Sequence, residues 1–213
     1  MGIPYRYIAI AGNIGSGKTT LAELLAAEYN AKLILEQFAD NPFLPKFYEQ
    51  PDKYALPLEM SFLAQRYQHL KAQLAHPDPL KSLTVSDYDI TKSSIFARVT
   101  LPEAVYGVYR TIFNRLCSDL IRPELYVYLY RSTENLKRNI RRRGRPYEQS
   151  IDAAYLDQIN RSYFAFLKSQ IGIRILVLDV DNIDFVENAD AYLRVKRAFT
   201  QSYKLGMNHL KID

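Results

Sequence analysis

The sequence contains little cysteine and histidine, and it has no long run of apolar residues. Cys117 is the only cysteine, so no disulfide bond can form within the chain, and we expect it to be a core residue. The three histidines are isolated from one another, which favours surface or structural roles. The apolar runs fall far short of the ~20 residues that span a membrane, and the N-terminus shows no signal-peptide pattern. We therefore expect a cytoplasmic protein with no membrane partner.

The charge of the chain does not indicate nucleic-acid binding. The net charge is +5, but residues 137–145 carry six cations and no acidic residue. Removing those six charges from +5 leaves −1, so the basicity is one local cluster and not a basic face. Because no repeat or linker divides the chain, we predict a single domain over residues 1–213. The role of residues 200–213, a candidate C-terminal tail, stays open.

Residues 12–19, Gly-Asn-Ile-Gly-Ser-Gly-Lys-Thr, fit the P-loop pattern G-x-x-x-x-G-K-[ST], which binds nucleotide phosphates. An apolar run precedes this glycine-rich loop and leucines at helical spacing follow it, as expected between a strand and a helix. Lys18 would contact the β- and γ-phosphates, and Thr19 would place its hydroxyl on Mg²⁺, the expected cofactor. The predicted phosphate-binding residues are Gly12, Asn13, Ile14, Gly15, Ser16, Gly17, Lys18, Thr19 and Thr20.

Strand-like and helix-like segments alternate along the chain, which predicts an α/β fold with a five-stranded parallel sheet and helices on both faces. We expect strands at 5–11, 32–36, 83–88, 124–130 and 173–179, and helices at 18–29, 54–75, 102–117, 133–142, 152–170 and 184–199. Ligands of such sheets bind beyond the carboxyl ends of the strands. That edge should carry the glycine-rich loop, Glu36 and the pair Ser86-Asp87.

Glu36 ends the second expected strand and should point into the crevice near the phosphates. It could accept the proton of a hydroxyl that attacks the γ-phosphate, or it could be a solvated carboxylate. Ser86-Asp87 is better placed for Mg²⁺ than Asp179, because Asp179 comes on the last expected strand. The aromatic and proline-rich residues 41–48 could wall a pocket for a flat ligand or pack in the core.

Glu59 and Arg66 share one face of the helix expected at 54–75, among apolar residues. Charges in an apolar stripe need partners, because their burial is costly without them. A separation of about 10 Å along the helix axis is too long for a direct bond. Either a polar planar ligand lies between the two side chains, or each has another partner.

The arginine-rich run at 141–145 ends the helix expected at 133–142. Arginines on a loop can close over a transferring phosphoryl group and stabilise its negative charge. The alternative is a solvated basic helix end.

Together these features resemble the deoxynucleoside kinase family, most closely its bacterial purine members. The resemblance spans roughly residues 7–178. Its anchors are GNIGSGKTTL at 12–21, Glu36, NPFLPKFY at 41–48, the pair Glu59 and Arg66, IFA at 95–97, RRRGRPYE at 141–148 and Tyr155-Leu156. It implies a P-loop kinase fold with an arginine-rich lid, transfer of the ATP γ-phosphoryl to the 5′-hydroxyl of a deoxynucleoside, and a homodimer.

The resemblance also implies roles for single positions. Glu36 matches the general base, and Lys18 and Arg143 complete the catalytic set. Arg141 and Arg145 join the ATP-binding residues. Within the substrate-binding set, Tyr48 and Glu148 match the residues that bind the sugar 3′-hydroxyl, and Phe96 matches an aromatic that stacks on the base. The whole substrate-binding set is Glu36, Tyr48, Leu58, Glu59, Arg66, Asp87, Phe96 and Glu148.

Two places depart from the family pattern. The family usually has Asp/Glu-Arg-Ser after the third strand, whereas this chain has Ser86-Asp87-Tyr88. The residue that is usually acidic, and pairs with the base-reading arginine, is Lys92 here. The source of the usual positioning arginine and of the metal-side carboxylate is therefore open.

Glu59 stands where the family usually has a glutamine that reads the edge of the base. An ionised carboxylate only accepts hydrogen bonds, so it suits amino and ring N–H groups and repels the carbonyls of thymine. We predict deoxyadenosine as the preferred substrate, followed by deoxyguanosine or deoxycytidine.

Two other functions stay open from the residues alone. A nucleoside-monophosphate kinase, such as a thymidylate kinase, would need extra basic residues for the phosphate of its acceptor, and Arg66 and Arg98 are the obvious candidates. A nucleotide-binding regulatory protein is the other alternative. Its GTPase form is disfavoured because the sequence contains no N-K-x-D motif.

Overall fold

The computed structural model describes residues 2–37, 41–76 and 78–213. Six parallel strands form one sheet in the order β2-β3-β1-β4-β5-β6, with β1 (Tyr7–Gly12), β2 (Lys32–Ile34), β3 (Thr84–Ser86), β4 (Leu125–Tyr130), β5 (Arg174–Asp179) and β6 (Gly206–Lys211). The helices are α1 (Lys18–Glu28), α2 (Leu44–Glu49), α3 (Pro51–Ala75), α4 (Thr91–Thr100), α5 (Glu103–Leu116), α6 (Thr133–Arg143), α7 (Ala153–Ser169) and α8 (Ala189–Phe199). Across these described ranges, no helix is long and apolar enough to cross a membrane.

The expectation of five strands was wrong, because residues 206–211 add β6 to the sheet. This strand pairs in parallel with β5 over its whole length, from Gly206 beside Arg174 to Lys211 beside Asp179. None of its residues is fully buried. An edge strand has one neighbour and needs no continuous apolar sequence, so the mixed run Gly-Met-Asn-His-Leu-Lys gave no strand signal.

The segment before the last helix also differs from the expectation. α8 begins at Ala189 and not near residue 184, and Asn188 caps it by accepting a hydrogen bond from the Ala191 N–H. Asp184 holds the preceding residues in a turn, since its Oδ1 accepts from the N–H groups of Val186 and Glu187. Residues 180–188 therefore form a loop at the carboxyl end of β5.

β4 lies inside the sheet and shows that both faces are covered. Leu125, Val127 and Leu129 pack in the core that contains α1 and α8. Tyr126 and Tyr128 point to the other face, towards α7. With both faces covered, the carboxyl edge of the strands is the place left for a ligand.

The glycine-rich loop packs closely against α6 at Gly15, and a substitution there tests this packing. The φ of Gly15 is +81°, and a Cβ atom there would lie 2.8 Å from the Leu136 carbonyl oxygen and 2.9 Å from Ile140 Cγ1. We expect Gly15→Ala to lower the free energy of unfolding by more than about 1 kcal/mol, because the methyl group is both strained and crowded. Gly107, inside α5, has open space around it, so Gly107→Ala should instead stabilise by up to ~1 kcal/mol. Urea unfolding measures both, and an unchanged Gly15→Ala protein would contradict the packing.

Candidate active site

The glycine-rich loop is held in shape by side chains from neighbouring helices. Asn13 Nδ2 donates to Asn160 Oδ1 of α7 at 2.8 Å. Asn139 Nδ2, on α6, donates to the Gly15 carbonyl oxygen at 2.8 Å. These bonds satisfy buried polar groups of the loop, so its conformation is set before any ligand binds.

Lys18 begins α1, and its ammonium group lies near other positive charges. Burial, followed by the charge of Lys92, lowers the pKa of Lys18 to about 7, while Glu36 and Asp87 oppose the shift. The charge of Arg143 acts in the same direction as Lys92. Cations that repel one another in this way favour an anionic ligand, because its charge would remove the repulsion.

Asp87 connects the glycine-rich loop to the end of β2. This carboxylate follows β3 directly and is 2% exposed. Its Oδ2 accepts from Thr19 Oγ1 at 2.5 Å, and its Oδ1 accepts from the Glu36 backbone N–H at 2.7 Å. A hydroxyl and a carboxylate held together are oxygen ligands of the kind that Mg²⁺ prefers. The residues at this position therefore fit a magnesium ion.

The Glu36 carboxylate forms ion pairs with two cations. Its Oε1 accepts from Arg66 Nε at 2.8 Å and lies 2.7 Å from Arg66 Nη2, and its Oε2 accepts from Lys92 Nζ at 2.5 Å. Burial favours the protonated form, but the charges of Lys92 and Arg66 outweigh burial and hold the pKa of Glu36 well below its usual range. The carboxylate is therefore ionised although its side chain is only 4% exposed.

Glu59 and Arg66 each have another partner, which was one of the two alternatives drawn from their spacing. Besides Glu36, Arg66 contacts Ser93, to whose Oγ its Nη1 donates at 2.8 Å. Glu59 Oε1 accepts from Thr100 Oγ1 at 2.9 Å, while its buried Oε2 has no hydrogen-bond partner among the described residues. Burial raises the pKa of Glu59 to about 7, although Arg66 and Thr100 favour its charged form.

One cavity of about 310 Å³ brings these groups together at the carboxyl edge of the sheet. Its walls combine charged groups with the apolar side chains of Leu58, Phe62 and Phe96. All eight residues of the predicted substrate-binding set line it. The predicted site residues in its lining are Ile14, Lys18, Thr19, Glu36, Tyr48, Leu58, Glu59, Arg66, Asp87, Phe96, Arg143, Arg145 and Glu148.

Glu148 holds two arginines of the arginine-rich run. Arg143 donates to Glu148 Oε2 through Nε at 3.0 Å and through Nη2, and Arg145 Nη1 donates to Oε1 at 3.3 Å. Burial, followed by the charge of Glu148, raises the pKa of the Tyr48 hydroxyl. Tyr48 and Glu148, which the sequence analysis grouped together, therefore lie close to each other.

A second cavity, of about 690 Å³, lies on the glycine-rich loop. Arg143 lines both cavities, so they meet at this side chain. Arg131 supports the second cavity, since its Nη2 donates to the Ile183 carbonyl at 3.0 Å and its guanidinium lies 5.6 Å from the Phe185 ring. The remaining lining comes from Gly15, Gly17, Thr20, Asn135, Arg138, Asn139, Arg142 and residues 181–186.

The arginines of the basic run at 137–145 differ in where they lie, and two that were not among the predicted site residues line the second cavity. Arg141 is exposed and lines neither cavity of the described chain. Arg138 and Arg142, four residues apart on one face of α6, line the second cavity instead. That spacing, and the polar residues Asp181, Asn182 and Asp184 after β5, are the signals that could have located this cavity.

A partner of Glu36 and a partner of Glu59 were also missed. Lys92 appeared in the sequence only as a departure from a family pattern, and Thr100 gave no signal. Both reach the cavity region from α4, a helix that was not expected.

The first cavity therefore combines the cations Lys18, Arg143 and Arg145 with the buried, ionised carboxylate of Glu36. This combination is typical of a phosphoryl-transfer site.

Comparisons with known proteins agree with this arrangement. The deoxynucleoside kinase family profile matches residues 8–203. A deoxyguanosine kinase from Bacillus subtilis (strain 168) is 36% identical over 193 residues, which cover 89% of this chain and 93% of that protein. A deoxyadenosine kinase from Dictyostelium discoideum is 31% identical over 186 residues, covering 85% of this chain and 74% of that protein. The structure of deoxyadenosine kinase from M. mycoides with bound dATP matches with a TM-score of 0.76 and 21% identity, over 90% of this chain and 99% of that one.

The chain therefore belongs to the deoxynucleoside kinase family, as its motifs predicted. The interpretation as a kinase is confirmed by this membership. The likeness to the solved structure, at 21% identity, confirms the α/β fold with its parallel sheet and helices.

The raised pKa of Glu59 predicts a pH-dependent stability. Between the ordinary value of 4.5 and about 7, the folded protein keeps a proton that the unfolded chain releases. The free energy of unfolding should therefore fall as the pH rises through this window, by up to ~1.4 kcal/mol per pH unit. Glu59→Gln has no such proton, so the stability of the wild type relative to this variant should decrease as the pH rises. Urea unfolding of both proteins at several pH values measures the difference, and a constant difference would contradict the burial of Glu59.

Proposed function

We propose that this chain transfers the γ-phosphoryl group of ATP to the 5′-hydroxyl of a purine deoxynucleoside. The observation that carries this proposal is the shared cavity of Lys18, Thr19, Glu36 and Glu59, which combines phosphate-binding, hydroxyl-binding and base-reading groups. Its volume of about 310 Å³ suits a small ligand such as a nucleoside. The relatives named above, a deoxyguanosine kinase and two deoxyadenosine kinases, support a purine. We also propose that the activity serves nucleotide salvage in the cytoplasm.

In this proposal the second cavity holds ATP. Its phosphates would lie on the glycine-rich loop, where Lys18 provides a positive charge and the loop N–H groups provide hydrogen bonds. Thr19 and Asp87, together with the phosphates themselves, would hold Mg²⁺. This ion is commonly bound by few protein groups plus substrate phosphates. Its contribution is to neutralise negative charge on the phosphates.

Glu36 would bind and orient the attacking 5′-hydroxyl. The O5′–Pγ bond forms as the bond from Pγ to the β–γ bridging oxygen breaks, and the hydroxyl proton passes to the Glu36 carboxylate. A carboxylate with a lowered pKa is a weak base. Phosphoryl transfer through a loose transition state depends mainly on positioning and charge stabilisation, so orientation is the main contribution of Glu36.

We assign the lid role to Arg143 and Arg145. The lining of both cavities by Arg143 supports this role, because its guanidinium would then lie beside the transferring group. In the structure, both arginines donate hydrogen bonds to Glu148. Glu148 and Tyr48 are also the proposed partners of the sugar 3′-hydroxyl, so an acceptor would bind next to the lid.

Glu59 is the proposed base-reading group, and its charge decides which purine edge it fits. An ionised Glu59 can accept from N1–H and the 2-amino group of guanine. A protonated Glu59 can accept from the 6-amino group of adenine and donate to N1. With a pKa of about 7, both forms exist near neutral pH. The sequence analysis predicted deoxyadenosine as the preferred substrate. Its kcat/KM should fall relative to that of deoxyguanosine as the pH rises.

The test is the rate of phosphorylation of the four deoxynucleosides and of dAMP, with Mg²⁺ and ATP, at pH values about one unit either side of 7. We expect the two purine deoxynucleosides to react fastest and thymidine slowest, because thymine offers two carbonyls to Glu59. The ratio of deoxyguanosine to deoxyadenosine kcat/KM should rise with pH in the wild type and stay constant in Glu59→Gln. Thymidine as the best acceptor would contradict the base assignment.

A preference for dAMP would favour a nucleoside-monophosphate kinase instead. The structure provides little for that acceptor. Arg66 is bound to Glu36 and Ser93, and Arg98 pairs with Glu103 on the surface.

We also propose a homodimer formed through α5. Val108 and Ile112, one turn apart on this helix, are 65% and 37% exposed, and the nearby helix α3 exposes Leu56 at 43%. Burial of this apolar face would favour association. Sedimentation should therefore give the mass of a dimer, and Val108→Glu should shift the protein to monomer. A monomeric wild type at micromolar concentration would contradict this proposal.

A further inference from the structure

The chain has no arginine directly after β3, yet Glu36 does not lack positive charge. Arg66 occupies Glu36 Oε1, and the second cation comes from Lys92 on α4. The position after β3 is occupied by Asp87, which contacts Thr19 and the Glu36 backbone N–H. In the family pattern stated above, position 87 is an arginine and position 92 is acidic. Here position 87 is acidic and position 92 is a lysine.

Lys92 occupies an unfavourable place for a lysine. It is 9% exposed, and burial lowers its pKa. It also lies in the first turn of α4, where the helix dipole disfavours a positive charge. The interactions that offset these costs are the ion pair with Glu36 Oε2 at 2.5 Å and the Phe96 ring, whose centroid lies 5.3 Å from Nζ. Both partners line the proposed acceptor site.

We propose that Lys92 is a positioning residue for Glu36, and that it works as a pair with Asp87. Lys92 fixes the second carboxylate oxygen, while Asp87 fixes the backbone of the same residue and ties it to Thr19 of the donor loop. This inference rests on the proposed function, because it assigns a task within that reaction.

The proposal follows from how a carboxylate is held. Arg66 contacts one oxygen of Glu36, so the carboxylate could still turn about its bond to the side chain. A second cation on the other oxygen removes that freedom. Small displacements of a reacting group cost large factors in rate, whereas binding of the base at Glu59 and Phe96 does not require this orientation. Loss of Lys92 should therefore reduce kcat and leave the KM of the nucleoside nearly unchanged.

The experiment is a double-mutant cycle in the full-length protein, with Lys92→Met, Glu36→Gln and the double variant, assayed with ATP and the best deoxynucleoside. We expect Lys92→Met to lower kcat on the order of 10²-fold, with a change in nucleoside KM below about threefold. In the Glu36→Gln background the same substitution should cost less than about fivefold, since no carboxylate remains to be held. Lys92→Arg should restore most of the loss, and Lys53→Met, an exposed lysine on α3, is the matched control.

Equal losses in both backgrounds would overturn the proposal, because Lys92 would then act independently of Glu36. Near-normal kcat in Lys92→Met would overturn it as well. If Lys92→Met does not fold, the comparison moves to Lys92→Gln, judged by the same cycle and by thermal unfolding. The wild-type rate is measured in the same series, so an inactive wild type would reject the proposed function and not the role of Lys92 alone.

Discussion

A buried, ionised carboxylate needs fixed positive charges beside it, and Glu36 obtains them from two different helices. Removing a charge from water costs several kcal/mol unless partners compensate. Arg66 supplies one partner from α3 and Lys92 the other from α4, so the packing of these two helices is tied to a single side chain. Asp87 extends the network to the glycine-rich loop through Thr19. The sheet makes this possible, because the carboxyl ends of β1, β2 and β3 are neighbours.

The same network leaves an excess of positive charge in the cavity, and this excess favours an anionic ligand. Burial of Lys18, followed by repulsion from Lys92, lowers the pKa of Lys18 to about 7. The phosphates of a donor would reduce that repulsion, so this arrangement of cations favours an anionic ligand. In the proposed reaction the cations would therefore act on both substrates, since they hold the Glu36 carboxylate beside the acceptor and would attract the phosphates of the donor.

The sequence revealed the parts of this protein that depend on local chemistry. The glycine-rich loop follows the buried strand β1 and Glu36 follows β2, and neither needs tertiary information to be located. The prediction of the family rested on such motifs, and the family profile and the relatives confirmed it. The parts it did not reveal depend on contacts between distant segments. β6 lies at an edge and lacks an apolar run. The role of Lys92 becomes visible only when α4 packs against α3 and brings Lys92 to Glu36. Arg141 was chosen by its place in a basic run, but the turn of α6 decides which arginines face the cavity.

The two glutamates of the cavity show how the surroundings separate identical side chains. Glu36 and Glu59 are both buried, which alone would raise the pKa of each. Glu36 contacts two cations directly and its pKa is lowered, whereas Glu59 accepts a hydrogen bond from the neutral Thr100 hydroxyl and burial raises its pKa to about 7. The ionised group can orient a hydroxyl at any physiological pH. The group that can change its charge is suited to the base, where donor and acceptor patterns differ between purines. In the proposed reaction, two carboxylates whose pKa values are pushed apart within one cavity would thus take different tasks.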